Sequence, residues 1–394
     1  MYSPLALLIY LLGTSALIAL DIAVSKFLSA AGIETWATIR SLIGLSGFVC
    51  LIGLDQMIVR SRQSSFLICR LVAVQVPLLS IIVGTLIWWL EFMSNWSYSI
   101  LLVAGSSATM FFQQYFRSNH LRVRAQVAEQ GWKVVTLCIV SGSVIWNIQI
   151  MIDLAFITAI IGMIAVSSLS LLQSPPNKLF AQSPEPVSSL YAYGFRFMLS
   201  SILLALALYG EQLVVSGLGT SEESATYFTH AVFFLFPISI ANGYFAFLIA
   251  PWLRDNHEKF LLIVSKYNWL IGFCALVYAI SIHCIGLFAW MLIDPTGETS
   301  NVTLQFVFFC MCVARTIYTI PSAYIGIFGD KKRHDYLILC QLVVLCLVAG
   351  TFYGLYKTEV AQLIYIVAIL SMTNVFLRTL LSLRIMQLLS QNRS

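Results

Sequence analysis

A dozen apolar stretches, each long enough to cross a bilayer, alternate along this chain with short polar gaps, and the cations gather beside every second gap. That layout restricts the fold to a polytopic bundle of membrane-spanning helices, because backbone polar groups in hydrocarbon must be satisfied within their own segment. A helix needs about 20 apolar residues to cross roughly 30 Å of hydrocarbon. Spans are expected near 4–29, 34–59, 65–90, 97–117, 126–147, 149–172, 189–216, 224–250, 261–293, 301–326, 334–355 and 360–386. Hydrophobic residues make up 59% of the 394 and charged residues 10%. Soluble domains carry roughly 25% charged residues, so that class is excluded.

Cationic loops translocate poorly, so the Lys/Arg bias of the short loops orients the bundle. Of the 22 Lys and Arg residues, eighteen are read as cytoplasmic: Arg60, Arg62, Arg70, Arg117, Arg122, Arg124, Lys133, Lys178, Arg196, Arg254, Lys259, Lys266, Lys331, Lys332, Arg333, Arg378, Arg384 and Arg393. The opposite loops carry Glu34, Glu91, Glu222, Glu223, Asp294, Glu298 and Glu359, with Lys357 as their one clear cation. Both termini are therefore expected in the cytoplasm. The first span contains Asp21 and lacks a basic n-region and a small-residue cleavage site, so it reads as a retained span, not a signal peptide. The net charge of +5 is accounted for by orientation and calls for no nucleic acid. The nine cysteines lie mostly inside apolar spans, which argues against a disulfide framework. No spacing of His, Cys or carboxylates completes a metal site, and nothing calls for a cofactor.

Residues 173–188 hold four of the ten prolines and cannot continue a helix. They divide the chain into an N-terminal six-helix lobe (1–172), a cytoplasmic Pro-rich linker (173–188) and a C-terminal six-helix lobe (189–394). The lobes share a faint pattern. Asp21 in helix 1 precedes Thr35-Trp-Ala-Thr38, and Glu211 in helix 7 precedes Ser224-Ala-Thr-Tyr227. With both lobes entering from the cytoplasm, this is a parallel repeat, and transporters bind substrate between such halves.

Two segments carry a resemblance. Gly53-Leu-Asp-Gln-Met-Ile-Val-Arg60 closes helix 2, and Tyr209-Gly-Glu-Gln-Leu-Val-Val-Ser-Gly-Leu-Gly219 leads into Ala225-Thr-Tyr-Phe-Thr-His-Ala231. In this order, and over the whole twelve-helix layout, the chain resembles the Wzx-like O-antigen flippases of the MATE-like (MOP) exporter superfamily. Glu211 stands where that family more usually has Asp. The resemblance implies an all-α integral membrane protein with two six-helix bundles in a V shape. It also implies a multi-pass protein of the bacterial inner membrane that moves undecaprenyl-pyrophosphate-linked oligosaccharide, an O-antigen repeat unit, from the cytoplasmic to the periplasmic leaflet. An O-antigen polymerase and a chain-length regulator are the expected protein partners, and membrane lipids the surroundings.

The residues must then account for that task. Ionisable side chains inside spans are costly and usually face a cavity or each other. Arg40, Arg315, Arg196 and Lys26 are the candidate cations of a substrate cleft, and arginine suits phosphate because its planar fork gives two parallel hydrogen bonds. Asp21 and Glu211 are candidates for coupling to a proton or sodium, since a poorly hydrated carboxyl titrates nearer neutrality. The competing reading makes them structural partners, with Asp21 paired to Lys26 or Arg40. Thr14, Asp21 and Ser25 form a polar stripe on helix 1, while Arg196, Ser200, Ala207 and Glu211 share a face of helix 7. Pro77, Pro237 and Pro321 are expected within helices 3, 8 and 10 as bends, static or moving. His230 and His283 read as packed side chains. Asn95-Trp-Ser97 and Asn301-Val-Thr303 match the glycosylation pattern and are expected to be unused.

Two other functions compete. A multidrug or metabolite cation antiporter of the same superfamily would favour carboxylates over arginines in its cleft. An O-antigen polymerase or ligase would resemble its own families in having a large periplasmic loop, and every outer loop here is short. No nucleophile elbow or phosphate-cradling loop is present, so no catalytic residue is assigned.

Overall fold

The computed structural model describes residues 4–60, 64–145, 152–172, 186–238, 241, 242, 245, 256–291, 294, 299–328, 331–358 and 361–391. Among these the regular structure is all helix, with no strand. The helices are α1 (Pro4–Phe27), α2 (Ala30–Leu51), α3 (Leu54–Arg60), α4 (Ser65–Trp89), α5 (Trp96–Ser118), α6 (Arg122–Ile145), α7 (Ile152–Leu172), α8 (Val187–Leu218), α9 (Ser221–Phe234), α10 (His257–Met291), α11 (Val302–Phe328), α12 (Lys331–Lys357) and α13 (Leu363–Gln391). Each expected span has a helical counterpart. Among the described residues, 7 helices are long and apolar enough to cross a membrane: α1, α4, α8 and most of α10 to α13. α2 and α6 are more polar because they carry Glu34, Arg40, Glu129 and Lys133.

The chain forms two compact units, Met1–Ala225 and Thr226–Ser394. In the first, α1 packs on α6, α4 on α5, and α2 on both α5 and α8. Its core joins Leu54, Met57 and Ile58 of α3 to Phe111, Phe112, Tyr115 and Phe116 of α5 and Leu190 of α8. In the second, α13 packs on α11 and α12, and α10 on α11. There Phe260, Tyr324, Ile325, Leu337 and Ile385 pack together. The first unit takes in α8, which begins just after the proline-rich segment; most of that segment, 173–185, lies outside the described residues.

The single helix expected over 34–59 is in fact two, a correction with a clear cause. Ile52 and Gly53 have φ of 47° and 71°, the left-handed region in which glycine carries no Cβ penalty. Gly53 also meets Gly194 of α8 backbone to backbone. A Cβ on Gly53 would collide with the Gly194 carbonyl oxygen, and a Cβ on Gly194 would lie 2.5 Å from the Ile52 carbonyl oxygen. A helix end leaves its last carbonyls without intrahelical donors, and the Cys50 carbonyl is satisfied by Gln75 Nε2 at 2.6 Å. Tyr191 Oη on α8 donates to Gln75 Oε1 at 2.6 Å, which fixes the orientation of the amide. Ile52-Gly53 is thus the turn at which α2 ends and α3 begins, with α8 packed against it at Gly194.

Pro237, expected inside helix 8, does lie in helical backbone, just past a break at Leu235. α9 stops at Phe234 and helical backbone resumes at 236–238, which puts Pro237 in a first turn. There its missing amide has no intrahelical acceptor to lose and its ring avoids the clash that a continuous helix would impose with the Phe233 carbonyl. The freed carbonyls find other company. Cys312 Sγ donates to the Phe234 carbonyl at 3.1 Å. A Cβ on Gly286 would lie 2.5 Å from the Phe233 carbonyl oxygen, so only glycine lets α10 come this close. Pro77 and Pro321 do lie inside their helices, α4 and α11.

Candidate functional site

In the first unit, a charged cluster forms where α1, α2 and α6 meet. Asp21 of α1, 1% exposed, pairs through Oδ2 with Arg40 Nη1 of α2. Its other oxygen accepts from Trp36 Nε1 at 2.8 Å. Trp36 and Arg40 are four residues apart and lie on one face of α2, so a single carboxylate receives both. Trp36 is held against Phe156, whose ring also meets Trp132 edge-on at 5.4 Å. One residue along α6, Lys133 Nζ donates to the buried Gln130 Oε1 at 2.7 Å and lies within electrostatic reach of Glu129 and Arg40. Glu129 Oε2 accepts from Gln113 Nε2 of α5. The cluster holds two cations, Arg40 and Lys133, and two carboxylates, Asp21 and Glu129. Of the two partners open to Asp21 in the sequence, the structure brings Arg40. Lys26 is exposed beside the Phe27 ring at 5.9 Å and does not join the cluster.

Glu211 is buried on α8 at 6% exposure. Its neighbour Gln212 reaches the start of the next helix, donating from Nε2 to Ser224 Oγ at 3.1 Å, while Ser216 and Ser224 hydroxyls lie 2.8 Å apart. Asp21 of α1 bonds to Trp36 in the second turn of α2, and Gln212 of α8 bonds to Ser224 in the first turn of α9. Arg196 is half-buried on α8 and donates to the Ala192 carbonyl at 2.8 Å.

The second unit has a buried polar cluster of another kind. Arg315 of α11 and Arg378 of α13 are 6% and 5% exposed. The two helices meet at the same level, since Thr379 Oγ1 donates to the Ala314 carbonyl at 3.2 Å. Arg378 Nη2 donates to Gln341 Oε1 of α12 at 3.1 Å, and its guanidinium lies 5.9 Å from the centre of the Tyr318 ring, one turn along α11 from Arg315. Asn242 Nδ2 donates to Thr316 Oγ1 at 3.3 Å. Neither α11 nor α13 contains an Asp or Glu; α10 and α12 have only Glu258 and Asp335, within their first five residues.

Two of these residues lie well inside their helices. Lys133 and Arg378 were expected with the cytoplasmic cations, yet Lys133 lies eleven residues beyond Arg122 and Arg378 fifteen beyond Leu363. At 1.5 Å per residue these are roughly 16 and 22 Å along their helices.

His230 is fixed by two bonds. Its Nε2 accepts from the Asn301 backbone N–H at 2.9 Å and its Nδ1 lies 2.8 Å from the Thr226 carbonyl, which defines the neutral tautomer with the proton on Nδ1. Asn301 begins α11. Its Oδ1 accepts from Leu304 N at 3.1 Å and its Nδ2 donates to Tyr365 Oη at 2.7 Å. Asn95 likewise caps α5, accepting from Tyr98 N at 3.2 Å and from Ser97 Oγ at 2.6 Å. Both glycosylation patterns are helix caps. Among the described residues, no group of three or more His, Cys, Asp or Glu is placed to hold a metal ion.

No protein-family model matches this sequence, and no curated protein matches it. Solved structures do match. An inward-facing multidrug resistance MATE family transporter of the MOP superfamily aligns with a TM-score of 0.65 at 14% identity, covering 99% of each chain. An outward-facing one aligns at 0.56 and 16% identity, covering 97% of this chain and 94% of that one. The MATE transporter ClbM in complex with Rb+ aligns at 0.53 and 14% identity, covering 98% and 95%. The chain is thus a multi-pass membrane protein with the fold of MATE transporters. These neighbours are transporters and none is an enzyme.

Proposed function

We propose that this protein is a flippase of the bacterial inner membrane, moving undecaprenyl-pyrophosphate-linked oligosaccharide of the O-antigen type from the cytoplasmic to the periplasmic leaflet by alternating access. The observation that carries the reading is the sign of the charge buried in the second unit: Arg315 and Arg378 sit in helices that hold no carboxylate. Charges at membrane depth are retained where a task needs them, and two guanidinium groups suit a pyrophosphate better than a cationic drug. The polyprenyl tail would stay in lipid while a polar cleft between the lobes 1–172 and 189–394 carries the sugar head. Lys26, Arg40 and Arg196 are the further candidate cations. Asp21 and Glu211 would couple transport to a proton or sodium, since protonating Asp21 removes the charge that holds Arg40. Contacts with an O-antigen polymerase and a chain-length regulator follow from the same reading.

A multidrug or metabolite cation antiporter is the second reading. It is favoured by the buried carboxylates Asp21 and Glu211, by two neighbours described as multidrug resistance transporters and by a third, a MATE transporter in complex with Rb+. The test is surface O-polysaccharide in a strain deleted for the gene and complemented with wild type, Arg40→Ala, Arg315→Ala or Glu211→Gln at matched membrane levels. Loss of polymer on deletion, restored by wild type and not by Arg315→Ala, supports the flippase. Polymer that persists after deletion overturns it and turns attention to drug efflux.

A further inference from the structure

We infer that His230 is the proton-binding element of a latch in the second unit: neutral, it ties α9 to the starts of α11 and α13 through Asn301, and on taking up a proton it lets them go. The inference concerns gating and rests on neither reading of the transported substrate.

The latch is built on one residue, Asn301. Its backbone N–H donates to His230 Nε2 of α9 at 2.9 Å, and its Nδ2 donates to Tyr365 Oη of α13 at 2.7 Å. Its Oδ1 and its carbonyl accept from Leu304 N and Gln305 N of α11, at 3.1 and 3.0 Å. His230 is 1% exposed, with the Thr226 carbonyl 2.8 Å from Nδ1 and the Trp290 ring against it at 4.6 Å. A backbone amide only donates and a carbonyl only accepts, so Nδ1 carries the proton and Nε2 offers its lone pair. The atom open to a second proton is therefore the one that holds Asn301. An imidazolium in this place would set two N–H groups against each other. It would also bury a charge that no carboxylate among the described residues pairs with.

The other titratable groups around His230 leave the latch to it. Glu222 and Glu223 stand in the first turn of α9, with Glu223 Oε2 accepting from Thr220 N at 3.0 Å. Asp294, beyond the end of α10, accepts from Thr299 N and Oγ1 at 3.0 and 2.6 Å. α11 has no charged residue before Arg315 and α13 none before Arg378; the phenols of Tyr227 and Tyr365 and the thiols of Cys310 and Cys312 complete the set on these stretches. His283, two turns before Trp290 on α10, lies against Phe234 at 5.0 Å and Phe309 at 5.5 Å, and as a second histidine it is the one rival. A proton accepted by the released form and refused by the latched one shifts the balance toward release as the pH falls. With an ordinary imidazole in the released form, that population rises roughly tenfold between about pH 7.5 and 5.5. The orientation read from the loop charges puts this end of the unit, with Asp294, in the periplasm, so external acid would be the trigger.

The test is hydrogen–deuterium exchange of the purified full-length protein in detergent across that pH range, with each rate divided by the intrinsic rate of an open chain at the same pH. In wild type, amides 301–306 should exchange roughly tenfold faster on this scale at the acid end, while amides 97–105 of α5, the internal reference, should not change. His230→Gln keeps an oxygen acceptor for the Asn301 amide and binds no proton, so its rates should not respond to pH; His283→Gln should behave as wild type. A flat wild-type response, or a rise shared with α5, overturns the latch. So does a rise that survives His230→Gln or vanishes in His283→Gln. The wild-type and His283→Gln results decide the matter even where His230→Gln fails to fold.

Discussion

Replacing Asp21 probes the first-unit cluster most sharply, because one carboxylate serves two buried donors. Asp21→Asn keeps an oxygen for Trp36 Nε1 and removes the charge opposite Arg40. Breaking a buried ion pair from one side costs about 3–5 kcal/mol. Asp21→Ala takes the Trp36 acceptor as well, adding about 1–3 kcal/mol for a buried donor that loses its bond. Arg40→Met is the mirror change, and the double variant Asp21→Asn/Arg40→Met removes both charges. Replacing a buried pair by groups of similar volume is often close to neutral, so the double variant should recover most of the loss. The expected coupling is about 2–4 kcal/mol, a shift in the unfolding equilibrium on the order of 100-fold. The four proteins, purified in detergent, are compared by denaturant titration with tryptophan fluorescence as the signal. Losses from the two single changes that simply add, or an Asp21→Asn protein within about 0.5 kcal/mol of wild type, would refute a pair that stabilises the fold.

Three further outcomes are expected. Gly53→Ala combines a left-handed backbone, costing about 1–2 kcal/mol, with overpacking against Gly194, about 1–3 kcal/mol; its unfolding midpoint should fall clearly, and that of Gly194→Ala by the overpacking part alone. Gln75→Leu strips the Cys50 carbonyl and the Tyr191 hydroxyl of their partner, so it should lose about 1–3 kcal/mol, read by the same denaturant titration. Asn301→Ala removes the cap of α11 and should cost about 0.5–2 kcal/mol, with earlier proteolysis between α10 and α11, while Asn301→Asp should retain the cap.

Apolar length was enough to read the spans, because crossing hydrocarbon sets a minimum run that few other structures need. The places where helices stop were not legible in the same way. The turn at Gly53 depends on α8 crossing against it, a contact 141 residues away in sequence, and glycine alone does not reveal what will press on it. Pro237 was visible, but the sequence did not show that the helix would break just ahead of it, where Cys312 reaches the Phe234 carbonyl and Gly286 lets α10 pack against Phe233. The candidate charges were found by type. Asp21, Arg40, Glu211 and Arg315 are all buried, and the choice between Lys26 and Arg40 as partner of Asp21 needed the packing of α1 on α2. Lys133 and Arg378 were missed because counting cations by loop ignores how far into a helix each one lies. Gln341 gave no sequence signal, since a neutral amide earns notice only beside the arginine it holds.

The crossing of Gly53 and Gly194 bears on what covalent continuity means for this molecule. A cut in the chain between residues 173 and 185 would separate α8 from α7 along the chain, yet it would leave the backbone of α8 seated in the turn between α2 and α3. A nicked protein should therefore migrate as a single particle, and two separately expressed fragments would have to find that glycine contact before either could finish folding. The joint expected to resist separation is a backbone contact between two residues lacking side chains, and not the peptide link.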